Sequence, residues 1–302
     1  MNKFERVCKV CGTTMFYKSK DSYLNSIRKN TLCQSCGRRL AAKKDSNMGV
    51  LLEETNESYY WIGFILADGH INKSNRLKVV LAIKDFEHLN KLKNFLNIQK
   101  ITNTTISSSI AAMDVEIINI LCKKFDINQN KTIHPPNLEI FKNINNKDLL
   151  LSLIAGFIDG DGSIRNQSMG RKDFKLEIKC HKNWLSILQF FCLEICKKDF
   201  TKINNQGYAY FCISDTVILK ELKRSIELLN IPILKRKWDI IDYNYQGRSE
   251  KASKTHPIIL NLFQNGCSII DISKKLKIPY GTVYQTIKRN DEIKLESSGV
   301  TM

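Results

Sequence analysis

Two stretches of the chain alternate between an apolar face and a face that carries the charged residues. Residues 76–84 place Leu77, Val79, Leu81 and Ile83 on one face and Arg76, Lys78 and Lys84 on the other. Residues 174–180 oppose Phe174, Leu176, Ile178 and Cys180 to Lys175, Glu177 and Lys179. A period of two predicts strands with one buried face and one polar, basic face. A helical stretch follows each strand, about 86–97 and about 183–197. Next come β-prone segments at 100–110 and 200–213, the latter turning at Asn204-Asn205-Gln206-Gly207. A helix closes each run, about 114–125 and about 215–229.

Ahead of each strand lies an apolar motif rich in small residues, YYWIGFILADGHI at 59–71 and LIAGFIDGDGSI at 153–164. Both predict helices, the first capped by Asn56 or Ser58 and the second starting near Asp148. Both should end at Gly69 and Gly162, residues suited to the left-handed position after a helix. The chain thus uses one α+β unit twice. The expected organisation is a module at 1–44, halves at 57–145 and 146–243, a linker at 244–255 and a helical module at 256–290. The linker rests on the polar run GRSEKASK at 247–254.

Within the motifs, Gly63 and Ala67, and Gly156 and Gly160, stand four apart on one helix face. Small residues at that spacing let two helix backbones approach closely. Packed side by side in parallel, the helices bring Asp68 and Asp161 together at the negative ends of two helix dipoles. Carboxylates there call for a cation, and hard oxygen donors suit Mg²⁺, which turns bound water into a nucleophile.

Charge sharpens this picture. Lys+Arg outnumber Asp+Glu by 47 to 30, a net charge of +17. Such a surplus points to a polyanionic partner without separating DNA from RNA or an anionic membrane. No apolar run reaches the roughly 20 residues of a membrane helix, and MNKFERVCKV has no signal-peptide core. An intracellular, reducing location is therefore expected, in which ten cysteines serve metal binding or packing. Cys8-x₂-Cys11 and Cys33-x₂-Cys36 have the spacing of a structural Zn²⁺ site. Lys9, Lys18, Lys20, Arg28 and Lys29 inside or beside it suit nucleic-acid contact, with a purely structural cap as the alternative, and the region ends in the basic run Arg38, Arg39, Lys43 and Lys44. Cys122, Cys180, Cys192, Cys196, Cys212 and Cys267 fall on apolar-periodic faces and read as core.

The motifs resemble those of the LAGLIDADG homing endonucleases in their single-chain form, over residues 57–243. IAGFIDGDG at 154–162 is a close match to the family signature. WIGFILADG at 61–69 keeps Gly63, Ala67, Asp68 and Gly69 but carries Leu66 where the family usually has its first acid; Asp159 is the matching residue of the second copy. The resemblance implies a monomer with internal pseudo-twofold symmetry, its saddle-shaped antiparallel sheets lying over double-stranded DNA. It implies Mg²⁺-dependent cutting of both strands across the minor groove, with Asp68 and Asp161 as metal ligands. Arg76, Lys78, Lys84, Lys175 and Lys179 would then face DNA. The family also places a basic residue beside each scissile phosphate. Aligning FDINQNK (125–131) with LNIPILK (229–235) sets Lys131 opposite Lys235, with Arg236 and Lys237 competing for the second place.

Residues 256–290 resemble a helix-turn-helix of the kind found at the ends of recombinases and some homing endonucleases. His256–Gln264 forms its first helix, Ser268 and Asp271 a capping box for the second, and Tyr280–Arg289 the third. Val283 and Ile287 face inward, leaving Thr282, Tyr284, Gln285 and Lys288 for the major groove. The expected function is a site-specific DNA endonuclease of a mobile intron or free-standing element. The alternatives are an RNA-binding intron maturase and a non-cleaving DNA-binding regulator on the same scaffold. Acids intact in both halves argue against a purely binding role.

Overall fold

The duplication is present as two α/β halves with the same order of elements, flanked by a small module at each end. The computed structural model describes residues 4–37, 40, 46–168, 171–245 and 247–297. The basic run Arg38, Arg39, Lys43 and Lys44 lies outside the described residues. The N-terminal module is a hairpin of β1 (Phe4–Val7) and β2 (Thr14–Tyr17) followed by the helix Lys20–Arg28.

The first half runs from the motif helix Asn56–Asp68 into β3 (Gly69–Ile71) and β4 (Leu77–Ala82). The helix Phe86–Phe95, then β5 (Thr102–Asn103), β6 (Ser107–Ala112) and the helix Val115–Phe125 complete it. The second half repeats this with the motif helix Lys147–Asp161, β7 (Gly162–Ser168) and β8 (Arg171–His181). The helix Leu185–Cys196, β9 (Thr201–Ile203), β10 (Tyr208–Ile213) and the helix Thr216–Leu228 follow. Each sheet has four antiparallel strands, ordered β3-β4-β6-β5 and β7-β8-β10-β9.

The period-two pattern is realised in β4, where Leu77, Val79 and Leu81 are buried and the residues between them exposed. Ile83 departs from expectation: β4 stops at Ala82, and Ile83 opens a 3₁₀ turn over Ile83–Asp85 and is 46% exposed. In β8, Phe174, Leu176 and Ile178 are buried as predicted. Strands β3 and β7, which turn the chain back immediately after each motif, were not expected. Both are polar on one side, and β3 is too short for a period to show.

The motif helices are buried on every side, residues Ser58–Leu66 without a break, because sheets and helices of both halves close around them. Their caps differ from those expected. Thr55 Oγ1 accepts from the Ser58 N–H at 3.1 Å, and Asn146 Oδ1 from the Asp148 N–H at 2.9 Å. One hydrophobic core runs through both halves.

The expected linker at 244–255 is corrected. A helix spans Arg248–Gln264, and most of GRSEKASK forms its first turns, since Arg, Glu, Lys and Ala all favour helix and polarity alone does not break one. This helix packs with Ile269–Leu276 and Tyr280–Ser297 around a separate small core of Ile259, Ile272, Val283 and Ile287. Of the six cysteines read as core, only Cys192 is buried; the other five are half-buried.

Candidate active site

The two motif helices meet backbone to backbone through their glycines. A Cβ on Gly63 would lie 1.9 Å from Leu153 O, and one on Gly156 1.9 Å from Tyr60 O. A Cβ on Gly160 would lie 2.2 Å from Ala67 Cβ. As the first helix advances from Tyr60 to Ala67, its partner advances from Gly156 to Gly160. The helices are therefore parallel, and both end at one place, on Asp68 and Asp161.

Gly69 and Gly162 are not left-handed, which corrects the expectation. Their φ values are −75° and −79°, and the chain passes straight from helix into strand. Glycine suits these positions sterically: a Cβ would lie 2.7 Å from Ile65 O and 2.5 Å from Ile158 O.

Both aspartates open to solvent on one side, while protein crowds the rest of each carboxylate. Desolvation raises both, and Asp161 is pushed up to about 6, with the Asp68 charge adding to the burial effect. Two ammonium groups oppose this. Lys131 Nζ donates to Leu66 O at 2.7 Å and Ala67 O at 2.5 Å. Lys237 Nζ donates to Ile158 O at 3.2 Å, Gly160 O at 3.2 Å and Gly162 O at 2.6 Å, and also to Asp159 O. Leu66 O, Ala67 O, Asp159 O and Gly160 O belong to the last turns, where carbonyls run out of intrahelical partners, while Ile158 O also takes the Gly162 N–H; each lysine thus caps one motif helix near its terminal aspartate. Burial lowers both ammonium groups, and the neighbouring carboxylates hold them up. A cleft of about 410 Å³ opens here between Lys131, Asp161, Cys180, Trp184 and Tyr208.

Lys237, not Lys235, is the counterpart of Lys131. Lys235 and Arg236 are exposed on the short helix Lys235–Trp238, while Lys237 and Trp238 turn inward. The alignment on isoleucine missed this because it carried no information about a helical turn beyond Leu234.

Asp159, the first acid of the second motif, does not face the cleft. It is buried and accepts from Tyr60 Oη at 2.7 Å, the Leu234 N–H at 2.7 Å and Trp238 Nε1 at 2.8 Å. Burial raises its carboxyl, and these three donors resist the rise. Tyr60 gives its proton to Asp159, so its oxygen accepts from His88 Nε2 at 3.0 Å. His88 is buried and held neutral, its pKa lowered to about 3 by burial and by Lys91. Neither Tyr60 nor His88 was legible as a site residue, since the motif marks only the acid they serve.

The basic residues expected on the strands are unequally placed. Lys78 stands on the exposed face of β4, Arg76 immediately precedes that strand, and Lys84 lies beyond it in the 3₁₀ turn; all three are exposed. Lys175 shares Glu177 with Arg165, at 3.0 and 2.9 Å, and Lys179 lies 4.3 Å from the Tyr208 ring centre. In the C-terminal helices Ser268 Oγ accepts from the Asp271 N–H at 3.2 Å, the capping interaction expected. Thr282, Tyr284, Gln285 and Lys288 lie outward, while Val283 and Ile287 are buried.

Two sites fit metal ions. The Sγ atoms of Cys8, Cys11, Cys33 and Cys36 all lie within 4.8 Å of one another, close to the roughly 3.8 Å edge of a tetrahedron with Zn–S bonds of about 2.3 Å. The Cys33 N–H donates to Cys8 Sγ and the Cys36 N–H to Cys33 Sγ, each at 3.4 Å, as suits thiolates. At the helix ends, Asp68 and Asp161 offer hard oxygen donors whose mutual crowding a dication would relieve.

No protein-family model matches the chain, and no curated protein does. Among solved structures it is similar to I-SmaMI bound to an uncleaved DNA target in the presence of calcium ions, at 16% identity and a TM-score of 0.42, over 69% of this chain and 92% of that one. It is also similar to the LAGLIDADG homing endonuclease I-GzeII in complex with its DNA target, at 14% identity and a TM-score of 0.39, over 76% and 95%. A third is the LAGLIDADG meganuclease I-CpaMI bound to uncleaved DNA, at 12% identity and a TM-score of 0.38, over 69% and 92%. What the chain is similar to, across 69% to 76% of its length, is the structure of LAGLIDADG nucleases.

Proposed function

We propose that this chain is a divalent-metal-dependent DNA endonuclease of the LAGLIDADG homing type, which makes a double-strand break at a specific site. One observation carries the reading: Asp68 and Asp161 end two parallel, backbone-packed helices at one point, each beside a lysine that caps its helix. Asp68 and Asp161 would hold the metal, Mg²⁺ being the ion whose preferences suit two carboxylates, water and phosphate oxygens. Bound there, it supplies Lewis acidity and a water activated at neutral pH.

The rest falls to the chain's own groups. Lys131 and Lys237 keep positive charge beside the carboxylates, where an ammonium stabilises the added charge of a phosphorane-like transition state. The polar faces of β4 and β8, with Arg76, Lys78, Lys84, Lys175 and Lys179, meet double-stranded DNA. The Cys8–Cys36 module, holding Zn²⁺, and the outward residues of the Tyr280–Ser297 helix extend the contact along it. The net charge of +17 supports a polyanionic partner of this size. Mobility of the encoding element, by intron or free-standing gene, belongs to the same reading.

The test is incubation with plasmids carrying a library of candidate sites that includes the sequence flanking the gene, with Mg²⁺ or with EDTA. Linear product is expected with Mg²⁺ from the wild type and none from Asp161→Asn. Cleavage surviving both EDTA and the substitution overturns the metal-carboxylate mechanism. Tight RNA binding with no cut of any DNA favours a maturase.

A further inference from the structure

We propose that each active-site lysine is positioned from the opposite half of the chain, with Trp184 placing Lys131 and Asp85 placing Lys237. The proposal rests on the nuclease reading and concerns how its two sites are built. Lys131 belongs to the first half, but the second half holds its backbone. Trp184 Nε1 donates to Lys131 O at 3.0 Å and Thr132 O at 3.2 Å, and Asn183 Nδ2 to Ile133 O at 2.6 Å. Lys237 belongs to the second half, and the first half holds its segment. Arg236 forms a two-pronged pair with Asp85, its Nη2 lying 2.6 Å from Oδ2, and Lys91 Nζ donates to Ile233 O at 3.1 Å.

The two clamps are counterparts. Asp85 ends the 3₁₀ turn Ile83–Asp85 after β4, and Trp184 ends the turn Lys182–Trp184 after β8. Both are buried, so neither is a surface contact of convenience. Their chemistry differs: a charged fork on one side, an indole N–H shared between two carbonyls on the other. An ammonium can cap the end of a motif helix only if its own backbone is fixed. Neither lysine is therefore in place until the halves have docked, and the two strand cuts share one structural condition. Trp184, from the wall of the cleft, and Asp85 are positioning residues, since each acts through the segment that carries a lysine.

The experiment first reads lysine placement without cleavage. Purified full-length protein is treated with a water-soluble N-hydroxysuccinimide ester, and modification of Lys131 and Lys237 is followed by mass spectrometry. Asp85→Asn and Arg236→Gln should speed acylation of Lys237 about fivefold or more while Lys131 stays at the wild-type rate. Trp184→Phe, which keeps the ring against Phe157, should do the reverse. Equal change at both lysines, or none at either, overturns the proposal. On a cleaved substrate, the two classes of variant should accumulate nicked DNA with opposite strands intact; the same strand intact in both, or equal slowing of both cuts, overturns it. A wild type that cuts no DNA defeats the nuclease reading alone, because acylation still judges the clamps.

Discussion

Gly63 and Gly156 are reciprocal: each leaves out the one atom that would strike the other helix, at 1.9 Å from Leu153 O and from Tyr60 O. The contact is backbone against backbone, so no side-chain rotation can relieve an added methyl. Gly63→Ala and Gly156→Ala should each destabilise the protein by about 3 kcal/mol, read from denaturant unfolding. Gly281→Ala, in a helix with open space around it, should instead be neutral or stabilise by up to about 1 kcal/mol. Equal effects at the three positions would contradict the close approach.

His88 predicts acid lability. Its folded pKa, lowered to about 3 by burial and Lys91, lies well below the unfolded value near 6.5, so below that value the unfolded chain binds the extra proton. The stability held by neutral His88 is complete above about pH 6.5 and declines as pH falls toward 3, by about 2 kcal/mol at pH 5. Asp161, raised to about 6, acts in the opposite sense across pH 4 to 6 and partly masks the decline. The comparison must therefore be wild type against His88→Gln, by chemical denaturation at pH 7 and pH 5. The variant should lose less stability over that range; an unchanged pH dependence would show that His88 is not held neutral by the fold.

The lysine assignment separates two neighbours. Lys237→Ala should lower the cleavage rate about 10²-fold or more, the scale on which a preorganised charged donor acts. Lys235→Ala, exposed and away from the helix ends, should stay within about threefold, as for a screened surface charge. Single-turnover cutting of a supercoiled plasmid distinguishes the two. The reverse order would return the site to Lys235.

The four clustered cysteines should bind one zinc ion tightly. Metal analysis of purified protein is expected to show one zinc per chain, absent from Cys33→Ser. A chelator strong enough to strip it should make four thiols reactive together. The main body should keep its melting temperature, because the cysteine cluster is separate from the principal core. Joint loss of both would mean that the module and body unfold as one unit.

Much of this is legible in the order of the amino acids. The repeat showed because a motif helix needs small residues at fixed spacing, and because strands with one buried face carry a period of two. The C-terminal helices were legible except at their start, where a polar, helix-favouring run has no apolar period to mark it. The lysines at the ends of the motif helices were half legible. Lys131 follows a simple turn, whereas the place of Lys237 depends on a helical turn fastened by Asp159 and Asp85.

Sequence by itself determined the repeat, the pair of aspartates, the glycine faces and the cysteine ligand set. These are local: each follows from residue type and spacing along a single element. Tertiary structure alone decided which lysine caps the second motif helix, why Asp159 is spent on holding Leu234 and Trp238, and that each half clamps the other's lysine. Those relations join residues far apart in the chain, and burial and hydrogen-bond geometry select them from neighbours of the same chemistry. Lys235, Arg236 and Lys237 are near-equivalent cations in sequence. Once one helical turn is packed against the motif helices, they face three different surroundings.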